Sequence, residues 1–394
     1  MRKKGLSFAT GVGIILVMVV IFLGTPSQSL AQEKVVIGVI NCLSGFGADM
    51  GLAGRQGAGI AVDEINAAGG IKGKKIELIY RDDESTPQKA VSAANELIFK
   101  QGVKVIMGTN MTHVANAVNK IINDQKIVFI TIGSGKILVN PSQYPYTFRL
   151  NVATDKEAIV LVKYVMETMK PKKIGIFRDS TAFGQTGLAS VMDALKPYNV
   201  TPVGEELYNP GDTDMTGQML KLKNLGVDQI IAWGMGPDLV PATNSLDRIG
   251  WYPNIGSGVG VHQISFLELA NKKVGEKWVG TMQKAFTYPK GGKVPPDVEK
   301  FNNIIKAKYG TNIKSFVPNA GIWYDMIRLY AKAVENVGSQ DPTKIKEYIE
   351  GVSRYDGLVS KYKFSPTDHD GMNIADLAIV SSIRGDAFAK ERVD

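Results

Sequence analysis

"KVVIGVINCLSGFGADMGLAG", residues 34–54, runs from an unbroken apolar stretch through a glycine-rich turn into the start of a helix. An apolar stretch without polar alternation marks a strand covered on both faces. After the turn, Gly54, Ala58, Ala61, Val62 and Ile65 recur at helical spacing. Gly69 and Gly70 then end the helix, because glycine accepts the left-handed backbone needed there. "KKIELIY" (74–80) is the next strand.

The alternation continues. Ser85 or Thr86 caps a helix with Pro87 in its first turn and a buried stripe of Ala90, Val91, Ala94, Leu97 and Ile98. "VKVIMG" (103–108) reads as a strand, Thr112 as the cap of the following helix, and "KIVFITIG" (126–133) as a fourth strand. The pattern then restarts. "KKIGIFRD" (172–179) matches 34–41 in role, "GVDQIIAWGM" (226–235) echoes "GVKVIMGTNM" (102–111), and "YPNIGSGVG" (252–260) stands where 126–133 stood. Spacings differ between the halves, so the repetition is structural and not a tandem repeat. Two similar α/β lobes, each a doubly wound parallel sheet, are the expected fold class. Helices at 297–309 and 319–337 and a strand-like pair at 358–364 and 375–383 close the chain.

Several chemistries are excluded. Gly45, Gly47 and Gly51 spell G-x-G-x-x-x-G, one place too long for a dinucleotide fingerprint, and Asp82 and Asp83 come too late to hold a ribose. Gly135-Lys136 is followed by Ile137 where a phosphate-binding loop needs Ser or Thr. There is no G-x-S-x-G elbow. His113, His262 and His369 lack metal-type spacing and read as surface or loop residues, so neither metal nor cofactor is expected. The carboxylate pair in "RDDES" (81–85) reads as the start of a loop favouring the N-terminus of the Pro87 helix, and no enzyme is expected. Cys42, the one cysteine, ends an apolar run and reads as a buried thiol.

Residues 1–31 carry Arg2, Lys3 and Lys4, an apolar stretch from Gly11 to Gly24, and small residues at Ser29 and Ala31. These are the parts of a secretory signal peptide cut after Ala31. Cys42 lies too far beyond that cut to be an acylated lipoprotein residue, so a periplasmic location is expected. Removing the segment takes three positive charges from the formal +8, leaving +5. The remaining charges are interspersed, which does not imply nucleic acid.

The loops at the carboxyl ends of the strands point to ligand binding. "GTNMTH" (108–113) offers Asn110, Met111 and Thr112 beside a helix N-terminus, and "GSG" (133–135) adds Ser134 and the bare backbone of Gly133 and Gly135. Unpaired amides and a partial positive charge there can hold a carboxylate without arginine. The second half presents Phe183, Trp233 and Met235 with little charge. An apolar wall facing polar anchors selects a small acid with a hydrophobic tail.

Residues 35–98, with "VIMGT", "YTFRLNVATD" (146–155), "RDSTAFGQTG" (178–187) and "NAGIWYDMIRLYAKAVE" (319–335), resemble the leucine/isoleucine/valine-binding family of periplasmic solute-binding proteins. The resemblance runs through the chain beyond residue 31. It implies the type I periplasmic binding protein fold: two lobes joined by a three-segment hinge, closing on a ligand and delivering it to the membrane permease of an ABC transporter. The expected division is residues 32–152 with 287–352 for the first lobe, and 153–286 with 353–394 for the second. A monomer is expected. The resemblance places the carboxylate-holding hydroxyl on Thr112, the following anchor loop on Gly133, Ser134 and Gly135, and the aromatic of a Tyr-Gly motif on Phe183. It also places a tyrosine-rich segment on Met235 and Gly236, and the ammonium-pairing glutamate on Gly258, next to Ser257. Met50, in the opening loop, joins the expected ligand-binding set. With glycine at 258, the remaining lining suits an aromatic or aliphatic acid, with an amino acid also in the class. The alternative is a sensor of a small organic acid or amide in a signalling system.

Overall fold

A strand apolar throughout must be covered on both sides, and β1 (Val35–Asn41) is. Its Val35, Ile37 and Val39 join one buried cluster, while Ile40 joins another on the opposite face of the sheet. The computed structural model describes Met1, Gly5 and residues 33–393 except 312 and 314, and the expected signal peptide lies outside the described residues. Lys34–Asp394 forms one compact unit.

In the first sheet, β1 is joined by β2 (Ile76–Asp82), β3 (Val105–Met107), β4 (Val128–Thr131) and β5 (Thr147–Arg149), all parallel, in the order β2-β1-β3-β4-β5. The crossovers are α1 (Ala48–Ala67), α2 (Pro87–Asn95) and α3 (Thr112–Asp124). In the second sheet, β6 (Ile174–Asp179), β7 (Gly204–Tyr208), β8 (Gln229–Trp233), β9 (Asn254–Ser257) and β10 (Trp278–Gln283) repeat that order as β7-β6-β8-β9-β10. Its helices include α4 (Thr154–Tyr164), α5 (Ala182–Leu195), α6 (Thr216–Asn224) and α7 (Gly236–Arg248). The repetition read from the sequence is therefore a repeated sheet topology. In both sheets the strand order reverses beside the first strand, and crevices for ligands open at the carboxyl ends there.

The second sheet extends past its repeat. β11 (Thr287–Tyr288) pairs with β15 (Lys390–Arg392), and β14 (Leu377–Gly385) runs antiparallel to β10. Between them, β12 (Tyr355–Asp356) and β13 (Lys361–Tyr362) make a small hairpin of their own. Two details differ from the expected layout. The segments 358–364 and 375–383 are not partners. The hairpin packs on the first lobe instead, where buried Asp325 accepts bonds from Leu358 N, Val359 N and the Tyr362 hydroxyl at 2.7, 2.9 and 3.0 Å. β11, placed by expectation with the first lobe, pairs into the second sheet. β5, β7 and β10 also had no signal in the residue pattern, since short strands rich in Gly, Thr and charged residues carry no clear periodicity.

The helix Val317–Val337 lies along α1, and glycine makes this close approach possible. A Cβ on Gly57 would sit 1.8 Å from the carbonyl oxygen of Ala320, and one on Gly51 would sit 1.8 Å from that of Cys42. Gly51 thus brings the helix onto the end of β1, and Gly57 onto its partner helix.

Three expectations are refined by burial. Cys42 is a core thiol: its Sγ donates to Gly47 O at 3.1 Å, and burial pushes its pKa up to about 12. His369 lies in a loop but is fully buried, with Nδ1 2.9 Å from Thr147 O and Nε2 3.0 Å from a Glu350 carboxylate oxygen. Its ring stacks on Phe148 at 4.1 Å. The carboxylate pair is structural: Asp82 accepts from Leu43 N, Ser44 N and the Ser44 hydroxyl, and buried Asp83 accepts from Ser85 N at 2.8 Å.

Lys390 is fully buried on β15, where its ammonium donates to Ser382 O at 2.8 Å. Burial pulls its pKa down to about 7. The unfolded chain holds this proton up to about pH 10.4, so between the two values it binds more protons than the folded one, and stability rises with pH there. Lys390→Met is expected to melt above the wild type near about pH 6, with the gap narrowing by about pH 9. Thermal melts of both proteins across that range check it.

Candidate functional site: the cleft between the two sheets

The loops after β1, β3 and β4 face those after β6, β8 and β9 across a cleft. The strand ends at 108–113 and 133–135 are close together, as a cleft of this kind requires. Thr112 packs against Gly135 so tightly that a Cβ there would lie 2.6 Å from the threonine methyl. Arg149, buried at the end of β5, donates to the carbonyls of Gly133 and Gly135 at 3.4 and 2.9 Å. Asp370 pairs with Arg149 at 2.9 Å and with Lys156 of α4 at 2.9 Å, fastening this loop to the second lobe's first helix.

The first-lobe wall is built around the N-terminus of α3. The N-cap position falls on Met111 and not on Thr112 as the sequence reading had it, and no side chain caps the helix. Thr112 is the first helical residue, and its hydroxyl and that of Ser134 have no hydrogen-bond partner among the described residues. The first amides of such a helix have no intrahelical acceptor, and no acid lies in the first turn. Asn110 lines the cleft, but its side chain is already engaged, donating to Asn41 at 2.5 Å and accepting from the Trp323 indole at 3.3 Å. Met50 and Met111 give this wall its apolar surface.

The second-lobe wall is arranged differently. The N-terminus of α5 is closed by its own carboxylate: Asp179 accepts from Thr181 N, the Thr181 hydroxyl and Gly184 N at 2.8, 2.5 and 3.1 Å. α7 carries Asp238 in its first turn, and Asp238 also lines the cleft. Both helix N-termini on this side are therefore neutralised from within, whereas α3 is open. The wall carries more charge than expected from the sequence. No Lys or Arg is among the described lining residues.

Of the expected ligand-binding residues, Met50, Asn110, Met111, Thr112, Ser134, Phe183 and Met235 line the cleft. Met235 crosses over to pack on the cluster behind the first sheet. Gly133 and Gly135 sit behind Ser134, contributing the backbone that Arg149 holds. Trp233, Ser257 and Gly258 lie behind the second wall. Trp233 is wedged against Gly187, 6.2 Å from the Phe183 ring, and Gly258 packs against Trp233 and the buried Glu157 side chain.

Several lining residues were not singled out from the sequence. Asp179 and Asp238 stand at the ends of stretches already read as strand and loop, so their place at carboxyl ends was the available signal. His113 stacks on Phe46 at 6.3 Å, and burial lowers its pKa. Gln263, Phe316, Asn319 and Ile322 come from far along the chain and carry no local signal.

A model of the periplasmic binding protein family matches residues 34–386. The chain is 29% identical to Leu/Ile/Val-binding protein homolog 3 of Brucella melitensis, over 79% of this chain and 82% of that one. It is 26% identical to the Leu/Ile/Val-binding protein of Escherichia coli, over 83% and 86%. A crystal structure of a type 1 periplasmic binding protein from Bordetella pertussis superposes with a TM-score of 0.82 at 25% identity, covering 92% of this chain and all of that one. Two lobes of identical strand order, a cleft between their carboxyl ends and a family match over nearly the whole described chain agree: it belongs to the periplasmic binding protein family, among the proteins like the Leu/Ile/Val-binding proteins.

Proposed function

We propose that the protein is the periplasmic solute-binding component of an ABC transporter. It carries a small carboxylate-bearing solute with an apolar body, an aromatic or aliphatic acid or an amino acid, to a membrane permease. The observation that carries this reading is the uncapped N-terminus of α3, open in the cleft beside the unpartnered hydroxyls of Thr112 and Ser134. A carboxylate there accepts from first-turn amides and from two hydroxyls, and it meets the positive end of the helix dipole. The second lobe closes over the apolar body with Phe183 and Met235. Closure is a two-state equilibrium that the ligand biases because only the closed state offers both walls. The names of the relatives support an amino acid or a similarly sized acid. The Asp82–Asp83 pair, engaged with its own loop, supports a carrier over a catalyst.

Calorimetric titration of the chain from residue 32 onward with hydrophobic amino acids and with aromatic and aliphatic acids tests the reading. At least one class is expected to bind with heat and to raise the melting temperature. Silence across the whole set overturns it.

A further inference from the structure

The loop that follows β4 is held from behind. Arg149, 1% exposed at the end of β5, donates to the carbonyl oxygens of Gly133 and Gly135 from one terminal nitrogen of its guanidinium, at 3.4 and 2.9 Å. Both peptides are trans, so their N–H groups, on Ser134 and Lys136, point away from Arg149. Ser134 lines the cleft, whereas Arg149 does not. The Ser134 amide has no hydrogen-bond partner among the described residues, although the residue is only 8% exposed. A buried amide without an acceptor is costly, and one beside a cleft suits an anion.

The rest of the guanidinium engages Asp370. Its Nε and second terminal nitrogen meet the two carboxylate oxygens at 3.1 and 2.9 Å, a bidentate pair. Asp370 is itself fixed on both sides, because His369 O accepts from Arg149 N and Gly371 N donates to Arg149 O, each at 3.0 Å. Lys156 of α4 pairs with the same carboxylate at 2.9 Å. Burial alone would raise the Asp370 carboxyl, but the charges and hydrogen bonds of Arg149 and Lys156 outweigh it and hold the group below its ordinary range. A buried ion pair adds little net stability, since desolvation offsets the attraction. What this one supplies is orientation: two oxygens fix the plane of the guanidinium, and the guanidinium fixes two carbonyls. A hydrogen-bonded chain from guanidinium through peptide to amide also polarises that amide.

We infer that Arg149 is a positioning residue for the solute's carboxylate: held in plane by Asp370, it grips the Gly133 and Gly135 carbonyls and so turns the Ser134 amide toward the cleft. This rests on the carrier reading above and adds to its anion site a side chain that touches no solute. The described lining holds no Lys or Arg, so the guanidinium acts on the anion through the loop. The same chain of contacts continues into the second lobe, where Thr154 N of α4 donates to Ser134 O at 3.0 Å.

The test compares acids with their own amides, leucine against leucinamide and benzoate against benzamide, by calorimetric titration into the chain from residue 32 onward. The wild type is expected to bind at least one acid about tenfold or more tightly than its amide, because only the acid brings a full negative charge to the loop. In Arg149→Lys, and separately in Asp370→Asn, that ratio is expected to fall at least about fivefold while the affinity for the amide stays within about twofold. Lysine keeps the charge but cannot span Asp370 and both carbonyls, and asparagine keeps an acceptor but gives up the bidentate pair. Circular dichroism establishes that each variant is folded. A purely structural role would weaken acid and amide alike. An unchanged ratio in a folded variant, or equal weakening of acid and amide, overturns the role of Arg149 and leaves the carrier reading standing. A wild type that binds neither acid better than its amide overturns this inference together with the carboxylate part of the carrier reading. Silence of all four compounds also overturns the inference, and the wider titration above then decides the carrier reading.

Discussion

Replacing Thr112 with valine and Ser134 with alanine together is expected to weaken binding of a carboxylate solute by about two orders of magnitude or more, with little change in melting temperature. Each substitution removes one hydroxyl donor to a charged acceptor, a contact of about 1.5–3 kcal/mol when buried. Two such losses correspond to at least about a hundredfold. Valine keeps the shape of threonine, including the methyl that packs on Gly135. Neither hydroxyl is spent on the fold, since no side chain caps α3 and neither has a partner among the described residues. Titration of wild type and double variant with the acid that binds best reads the effect. A loss below about threefold removes these hydroxyls from the anion site.

Gly57→Ala is expected to lower the melting temperature by about 3 °C, an effect opposite in sign to its helix propensity. Alanine in a helix is favoured over glycine by about 1 kcal/mol. Here, however, the added methyl would sit 1.8 Å from the Ala320 carbonyl oxygen, on the helix Val317–Val337 that packs along α1. Backbone cannot yield as a flexible side chain can, so the helices must separate, at a cost of about 3 kcal/mol. Gly59→Ala is the internal control. It lies on the same helix, and its nearest neighbour would be the Tyr309 hydroxyl at 3.8 Å. There propensity wins, and the melting temperature is expected to hold or rise. Differential scanning of the two variants separates packing from propensity, and equal behaviour overturns the packing argument.

Much of the architecture was legible because it is local. Apolar runs such as 34–41 and 172–179 read as strands covered on both faces, and both are central strands. Ser85 or Thr86 with Pro87 read as a helix start, and the N-cap position falls on Thr86 with the helix beginning at Pro87. The echo between 102–111 and 226–235 read as a shared role, and β3 and β8 hold the same place in sheets of identical order. Two residues that line the first-lobe side of the cleft were visible for the same reason. Thr112 and Ser134 follow strands directly, at the carboxyl ends where ligands bind.

The rest was illegible because it arises between distant segments. Trp233 reads equally well as wall or core, and only the position of α5, with Gly187 against the indole, places it behind the cleft. His369 carries no sign of burial in its polar neighbours, yet Thr147 and Glu350 enclose it. The charge on the second wall was the largest omission. Asp179 is a helix cap by its local bonds, and it becomes part of the cleft lining only where the two sheets face each other.

By itself, then, the order of residues determined two α/β lobes and an amide-rich helix start suited to an organic acid. Hydrophobic periodicity and helix-end chemistry act over a few residues and need no partner. Folding in three dimensions alone decided which of these ends is left open and which is closed by its own aspartate. It also decided which aromatic rings reach the cleft, and that two aspartates line its second wall. Those outcomes depend on burial and on electrostatics between groups far apart in the chain, and neither exists until the sheets face each other.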